Sequence, residues 1–328
     1  ADARRPPIII TLIFLAIFLL GYMVTVRRQR LRERSLQYLP HAETAFCLIA
    51  LTILALTFAR QAYQKETRER ANAFVSSAYS HMSVVSREFM EIGKTLEAIE
   101  GLFASSDHVS SQEFDSFIRQ FLRNGASEAF AWLPEVPGSE RAAFEAAVRR
   151  EGKPGFSIWQ LDNSAKRVPA AARDMHYPVL YVEPQSRYAH LSGFDMGTYQ
   201  GVGETIRSCM DEYLPTATGT IRLLHRNGSA CSLVIFFHPV KNMSRKGLLT
   251  ANVRLQNLIS MPAYKIGSLT KHLSADLFQL EQGAPPVFLT STENTPSLLA
   301  DDWSNKHGDS LSIKVPIFCF GKTYALEI

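Results

Sequence analysis

The sequence has 328 residues, 46% hydrophobic and 20% charged, with a net charge of +4. That is enough chain for one large domain or two small ones beside membrane segments. A charge this small and dispersed, with no stripe that interleaves basic and aromatic residues, excludes a nucleic-acid surface.

Two apolar runs come first. Residues 8–26 (IIITLIFLAIFLLGYMVTV) carry no charge and are long enough to cross a hydrocarbon core of about 30 Å. Residues 44–59 (TAFCLIALTILALTFA) are shorter, with Glu43 and Arg60 placed to snorkel at the ends. Between them lies RRQRLRER, residues 27–34. No small-residue cleavage site follows the first run, which argues against a signal peptide. Residues 1–63 therefore predict two transmembrane helices in a lipid bilayer, joined by a basic cytoplasmic loop. Everything after about residue 63 is then expected in the periplasm of a bacterial cell, outside its inner (plasma) membrane, or otherwise on the extracellular side. The chain starts on Ala and stops on a strand, so further sequence is expected at both ends.

Residues 64–105 show no turn signal. Apolar or small residues recur at 71, 75, 78, 82, 85, 89, 92, 96, 99 and 103, alternating steps of four and three, which is a heptad seam. This predicts a long stalk helix. Its seam packs either on the chain's own globular domain or also on a second copy, giving a homodimer through residues 71–103. A helix running from lipid into an outer domain is also a stiff lever.

Beyond it, SSQE (110–113) is a capping-box pattern opening a helix to about Asn124. AFAWLPEV (129–136) reads as a strand, Ser139 as the cap of a helix to about Glu151, and FSIWQL (156–161) as a strand. A polar connection follows from Lys166 to Asp174. HYPVLYVEP (176–184) is a strand whose Pro178 predicts an edge or bulge position. Residues 198–213 have helical spacing, and GTIRLLHRNG with CSLVIFFHPV predicts a hairpin around Asn227 and Gly228. A strand (247–253), a helix (255–261) and four more strands complete the chain. The fold class is α+β, with antiparallel pairings packed on a long helix.

No nucleophile elbow, zinc-protease pattern, Walker loop or kinase set is present, and no cofactor motif. Gly201 and Gly203 read as a turn at the start of a helix. The nine histidines have no metal-ligand spacing, and His176 reads as structural. Cys209, Cys231 and Cys319 fall in the outer domain, where a Cys209–Cys231 disulfide and buried free thiols are both open. Asp195, in GFDMG (193–197), lies between two large apolar side chains and two glycines. An unpaired carboxylate is costly there, so N–H groups must meet it, from the protein's own backbone or from a guest.

Several ordered blocks together resemble the CHASE domain, the extracytoplasmic sensory module of cytokinin-receptor histidine kinases and bacterial nucleotide cyclases. They are LEAIEGLFASSDHVSSQEFDSFI (96–118), AFAWLPEVPGSERAAFEAAVRREG (129–152), YPVLYVEP (177–184) with GFDMG and Arg207 after it, and ATGTIRLL (217–224). The resemblance implies two tandem PAS-like subdomains after the stalk: a membrane-distal one over 106–235 that holds a small-molecule ligand, and a membrane-proximal one over 236–328. It also implies homodimers. From the plant members it assigns Asp195 to the adenine ring of an adenine-like ligand, and places Phe156 and Tyr177 near aromatic pocket positions. The sequence departs from the plant pattern after Glu183, where it has Pro184, which leaves small planar or polar ligands other than cytokinin open. The function implied is signalling to a cytoplasmic output domain. The alternative is a membrane-anchored interaction subunit with a degenerate sensor fold.

Overall fold

The computed structural model describes residues 21–24, 27, 39–106, 108–123, 126–224, 230–241, 246–266, 273–292 and 311–328. The chain divides into two compact units, residues 1–73 and 74–328. Helix α1 (Leu39–Ser105) begins in the first and ends in the second.

In the first unit the membrane expectation falls largely outside the described residues. Most of the run 8–26, and the side chains of 39–47, lie outside the described residues. Among the described residues no helix is long and apolar enough to cross a membrane. The described side chains of the second run start at Leu48, and Arg60, Gln61 and Lys65 follow too soon. Leu48, Ile49, Leu51, Ile53, Leu56 and Phe58 are nevertheless 51–65% exposed. Further along, Glu66 and Arg70 pair at 2.6 Å one turn apart.

In the second unit the heptad seam is decided. Positions 78, 82, 85, 89, 92, 96, 99 and 103 are all buried within the unit's own main core. From 78 to 103 the seam is thus covered by the chain's own core, and a side chain packed at interior density has no face left for a partner; Ala71 and Val75 of the expected homodimer seam 71–103 stay outside that core.

Helix α2 (Ser111–Leu122) starts at the predicted capping box, with Ser110 and Glu113 each bonding the other's backbone N–H. It buries Phe114 and Ile118. Strand β1 (Ser127–Pro134) leads to the short β2 (Val136–Pro137) and helix α3 (Arg141–Arg150). Glu140, not Ser139, holds the N-cap of α3, and it makes no side-chain cap bond. Strand β3 (Trp159–Leu161) falls within the strand read over 156–161 and forms a hairpin with β4 (Arg167–Pro169), which lies in the stretch read as a polar connection.

The strand expected over 176–184 is broken at Pro178 into β5 (Met175–His176) and β6 (Tyr181–Glu183), which join different sheets. Proline has no N–H to give a ladder, and β6 takes the sheet edge. The one-turn helix α4 (Gln185–Tyr188), helix α5 (Val202–Glu212) and strands β7 (Thr216–Ala217) and β8 (Ile221–Leu224) follow. After them come β9 (Ala230–Lys241), β10 (Lys246–Arg254) and helix α6 (Leu255–Ile266). Strands β11 (Asp276–Leu280), β12 (Val287–Ser291), β13 (Lys314–Cys319) and β14 (Lys322–Glu327) close the chain.

The first sheet runs β6-β1-β10-β9-β7, with β8 also paired to β9; the second runs β12-β11-β14-β13. All their pairings are antiparallel. The boundary expected between 235 and 236 falls inside β9, and both halves of that strand stay in the first sheet. The two sheets part only after Arg254.

Strand alternation gives the first sheet two apolar faces. Phe130, Trp132, Val234, Phe236, Leu249 and Ala251 belong to the main core with α1, α2 and α6. Their neighbours Ala131, Leu133, Ile235, Phe237 and Leu248 belong to a second cluster, with Val202, Ile206 and Cys209 of α5. On the α1 side, Phe103 lies 4.4 Å from Trp132 between ring centroids. Phe89 stacks on Tyr324 of the second sheet at 5.2 Å, and His81 Nε2 sits 3.1 Å from the Ile259 carbonyl of α6.

Candidate sensory site around Asp195

The GFDMG segment is the central line of a small backbone ribbon. On one side the Trp159 N–H donates to Gly193 O and the Asp195 N–H to Trp159 O, both at 2.9 Å. On the other, the N–H groups of Gly193 and Met196 donate to Val179 O (2.9 Å) and Tyr177 O (3.0 Å), and Val179 N–H donates to Phe194 O (3.0 Å). The segment thus ties β3 to the stretch between β5 and β6. This closeness requires Gly193: it has φ +81°, and a Cβ there would lie 2.2 Å from Ser157 O. Gly203 has the same role in α5, where a Cβ would come within 2.5 Å of Gly197 O.

Asp195 is 1% exposed. Its Oδ1 accepts from the N–H of Tyr177 at 3.0 Å and of Gly197 at 3.1 Å. Its Oδ2 accepts from Nδ1–H of His176 at 2.7 Å. Its own carbonyl accepts from the Thr198 hydroxyl at 2.7 Å, so the residue starts the short 3-10 turn Met196–Thr198. Of the two sources of N–H groups open in the sequence, this structure uses the protein's own. His176, read as a structural histidine, is the partner the sequence did not link to Asp195. With Nδ1 committed, its Nε2 is buried without a hydrogen-bond partner among the described residues.

Tyr177 is brought against Asp195, its backbone on the carboxylate and its ring in the cluster under α5. Its hydroxyl donates to Glu135 Oε1 at 3.3 Å. Burial raises the Tyr177 pKa, helped by the Glu135 charge and then by Asp211 and Asp195. Phe156 is not brought to this pair. It belongs to a third cluster with Val136, Val148, Ile158 and Ala170, and its ring faces Phe144 at 6.0 Å.

That third cluster is pinned by Arg141, which donates to Ala170 O (2.6 Å), Ile158 O (2.8 Å) and Glu145 (3.0 Å). Glu145 in turn accepts the Ile158 N–H at 2.9 Å.

The site also includes residues the sequence did not single out. Trp159, 7% exposed, donates Nε1–H to Ser192 O at 2.8 Å and lies 4.9 Å from the Phe194 ring. The Phe194 ring meets Tyr199 edge-on at 6.2 Å. The Arg167 guanidinium sits over the Trp159 indole, 4.6 Å from its centroid. Only the β3–β4 pairing unites Arg167 with Trp159, and no local periodicity shows that pairing.

Cys209 is a free, buried thiol, which leaves no Cys209–Cys231 disulfide. Burial pushes its pKa up to about 12. Among the described residues no group of three or more His, Cys, Asp or Glu side chains is placed to hold a metal ion.

Comparison with known proteins matches residues 107–289 to the CHASE domain. The match covers most of the second unit, GFDMG included. The chain belongs to the CHASE domain family. A relative is the hybrid signal transduction histidine kinase A of Dictyostelium discoideum, 23% identical over 258 residues, which are 75% of this chain and 12% of that protein. The chain therefore spans about an eighth of the length of that curated relative.

Among solved structures, the periplasmic sensory domain of the Campylobacter jejuni chemoreceptor Tlp1 aligns with TM-score 0.43 and 11% identity, over 75% of this CHASE chain and 90% of that one. The domain of a sensory box/GGDEF family protein from Vibrio parahaemolyticus gives 0.41 and 14%, over 77% and 94%. The ligand-binding domain of the Pseudomonas aeruginosa amino acid chemoreceptor PctC, in complex with GABA, gives 0.36 and 10%, over 75% and 93%.

Proposed function

We propose that this CHASE chain is the extracytoplasmic sensor region of a membrane-anchored signalling protein. A small molecule binds in the layer formed by β3, residues 193–197, Tyr177 and α5, and the event passes through the first sheet to α1. The observation that carries this reading is the alternation along β1, β9 and β10. Adjacent residues such as Phe130 and Ala131, or Phe236 and Phe237, pack on α1 and on the α5 side in turn. A strand that shifts on one face must repack the other, because interiors at crystal-like density do not absorb displacement. A ligand that binds one arrangement better than the other biases α1 by that difference in affinity.

In this reading Tyr177 contacts the ligand, and Asp195 positions the segment beneath it. Residues from about 106 to 254 form the ligand-binding subdomain, and the second sheet forms the subdomain nearer the membrane. The two apolar runs anchor the chain in a bilayer. The exposed apolar side chains between Leu48 and Phe58 support that placement. The output is a kinase of the kind named in the relative.

The test is hydrogen exchange on the full chain with and without binders found by thermal shift, from a panel of amino acids and purines including adenine. A binder is expected to raise protection both in 193–212 and in 78–103. Protection confined to 193–212 would refute transmission through the sheet.

A further inference from the structure

We propose that Arg167 is the anion-binding group of the sensory site, and that the ligand carries a carboxylate. This rests on the sensor reading above and narrows it to a ligand class.

Arg141 gives its donors to two carbonyls and to Glu145. Arg119 pairs with Asp115, Arg149 with Glu145, and Arg254 with Glu128. Arg167 differs. It is oriented, yet among the described residues no acceptor meets its guanidinium. The acid of its own hairpin, Asp162, turns to the hairpin loop: Oδ1 accepts from the N–H groups of Ser164 at 2.8 Å and Lys166 at 2.9 Å.

The platform beneath it is fixed. The Trp159 backbone is paired with Gly193 and Asp195, its Nε1–H is held by Ser192 O at 2.8 Å, and Phe194 packs against the ring at 4.9 Å. A guanidinium held over an indole loses freedom to rotate and is shielded from water on one face. The residue is exposed, so its N–H fork stays open to solvent. A planar fork of donors, pre-oriented and unused, matches a carboxylate through two parallel charge-assisted hydrogen bonds. Phe194 backs the platform from the buried side, and the half-buried Met196 and Tyr199 offer apolar surface for the body of such a ligand. Arg167 is exposed, so a ligand reaches it without opening the core.

The test is calorimetric titration of the full chain with benzoate, phenylacetate and L-phenylalanine. Their primary amides, adenine and inorganic phosphate serve as contrasts. At least one carboxylate is expected to bind saturably, and its amide about 10-fold more weakly or less. Arg167→Ala is expected to weaken that carboxylate about 10- to 100-fold, the scale of losing a hydrogen-bonded charge partner. Arg167→Lys should fall between, since an ammonium keeps the charge without the fork. Arg173→Ala, at another exposed arginine, should change nothing, and circular dichroism of Arg167→Gln checks the fold.

Carboxylate binding equal in wild type and Arg167→Ala overturns the proposal. Saturable binding of phosphate alone overturns the carboxylate class. Binding of adenine or the amides alone, unchanged in Arg167→Ala, sinks the inference and leaves the sensor reading standing. Binding of no probe at all counts against both.

Discussion

Replacing Asp195 by alanine removes a carboxylate that accepts three hydrogen bonds in a place that water does not reach. The donors left behind are the backbone N–H groups of Tyr177 and Gly197 and Nδ1–H of His176. A buried donor without a partner costs about 1–3 kcal/mol. Water entering the vacated volume recovers part of the sum, so the expected loss is about 3–6 kcal/mol. That is a large share of a domain stability of about 5–15 kcal/mol. Asp195→Asn is a graded control. Its carbonyl oxygen still accepts both backbone N–H groups, and its amide can donate to His176 once that ring shifts its proton, so a loss of about 1 kcal/mol is expected. The assay is urea unfolding of the full chain followed by tryptophan fluorescence, with equal m-values required before midpoints are compared. A loss below about 1 kcal/mol for Asp195→Ala would refute the reasoning. It would mean that the carboxylate is not held by these donors and is available to a ligand.

Phe103→Ala should destabilise the chain by about 3–5 kcal/mol, the usual cost of deleting a buried phenylalanine. Its midpoint should be independent of protein concentration, because the ring packs on Trp132 and Phe114 of the same chain; a concentration-dependent midpoint would restore the dimer seam. Glu183 is buried beside Asp115. Burial raises its pKa, partly opposed by hydrogen bonds from Gln185, while Arg119 lowers that of Asp115. A raised carboxyl pKa means that the folded state favours the proton. The Glu183 contribution is then fully present below the unfolded carboxylate range and lost as pH rises through the folded pKa. Glu183→Gln, fixed in a proton-bearing form, should therefore gain stability on wild type as pH rises from acid toward neutral; parallel pH profiles in thermal melts would contradict this. Native protein treated with iodoacetamide near pH 8 should leave Cys209 unmodified by peptide mass mapping, because its thiol pKa is about 12 and the thiolate is the nucleophile.

Much of the local structure was legible before any coordinates. The capping box at Ser110 and Glu113, the edge position signalled by Pro178 and the helix after Gly201 each follow from one or two side chains acting on their own backbone. The heptad seam was legible as a helix face, but its partner was not. Periodicity reports that an apolar stripe must be covered, and not by what. Phe89 finds Phe236 and Tyr324, residues 147 and 235 positions away, and only the packed sheets bring them there.

Asp195 shows the same division. Composition alone established that a carboxylate flanked by Phe194 and Met196 needs N–H partners, because desolvation is a property of the residue and its surroundings. Which N–H groups answer depends on β3, the 177–179 stretch and His176 converging on one segment. Those contacts span 14 residues or more, and the chain entropy lost in closing them is recovered only in the assembled core. The sequence by itself determined the long helix, the capped helix at Ser110, the main strands, the family blocks and the need for a partner at Asp195. The tertiary structure alone decided that the stalk seam belongs to the chain's own sheets, that Phe156 sits apart from Tyr177, and that Arg167 lies on Trp159. Each of those depends on residues far apart in the chain meeting across a pairing that local physics does not specify.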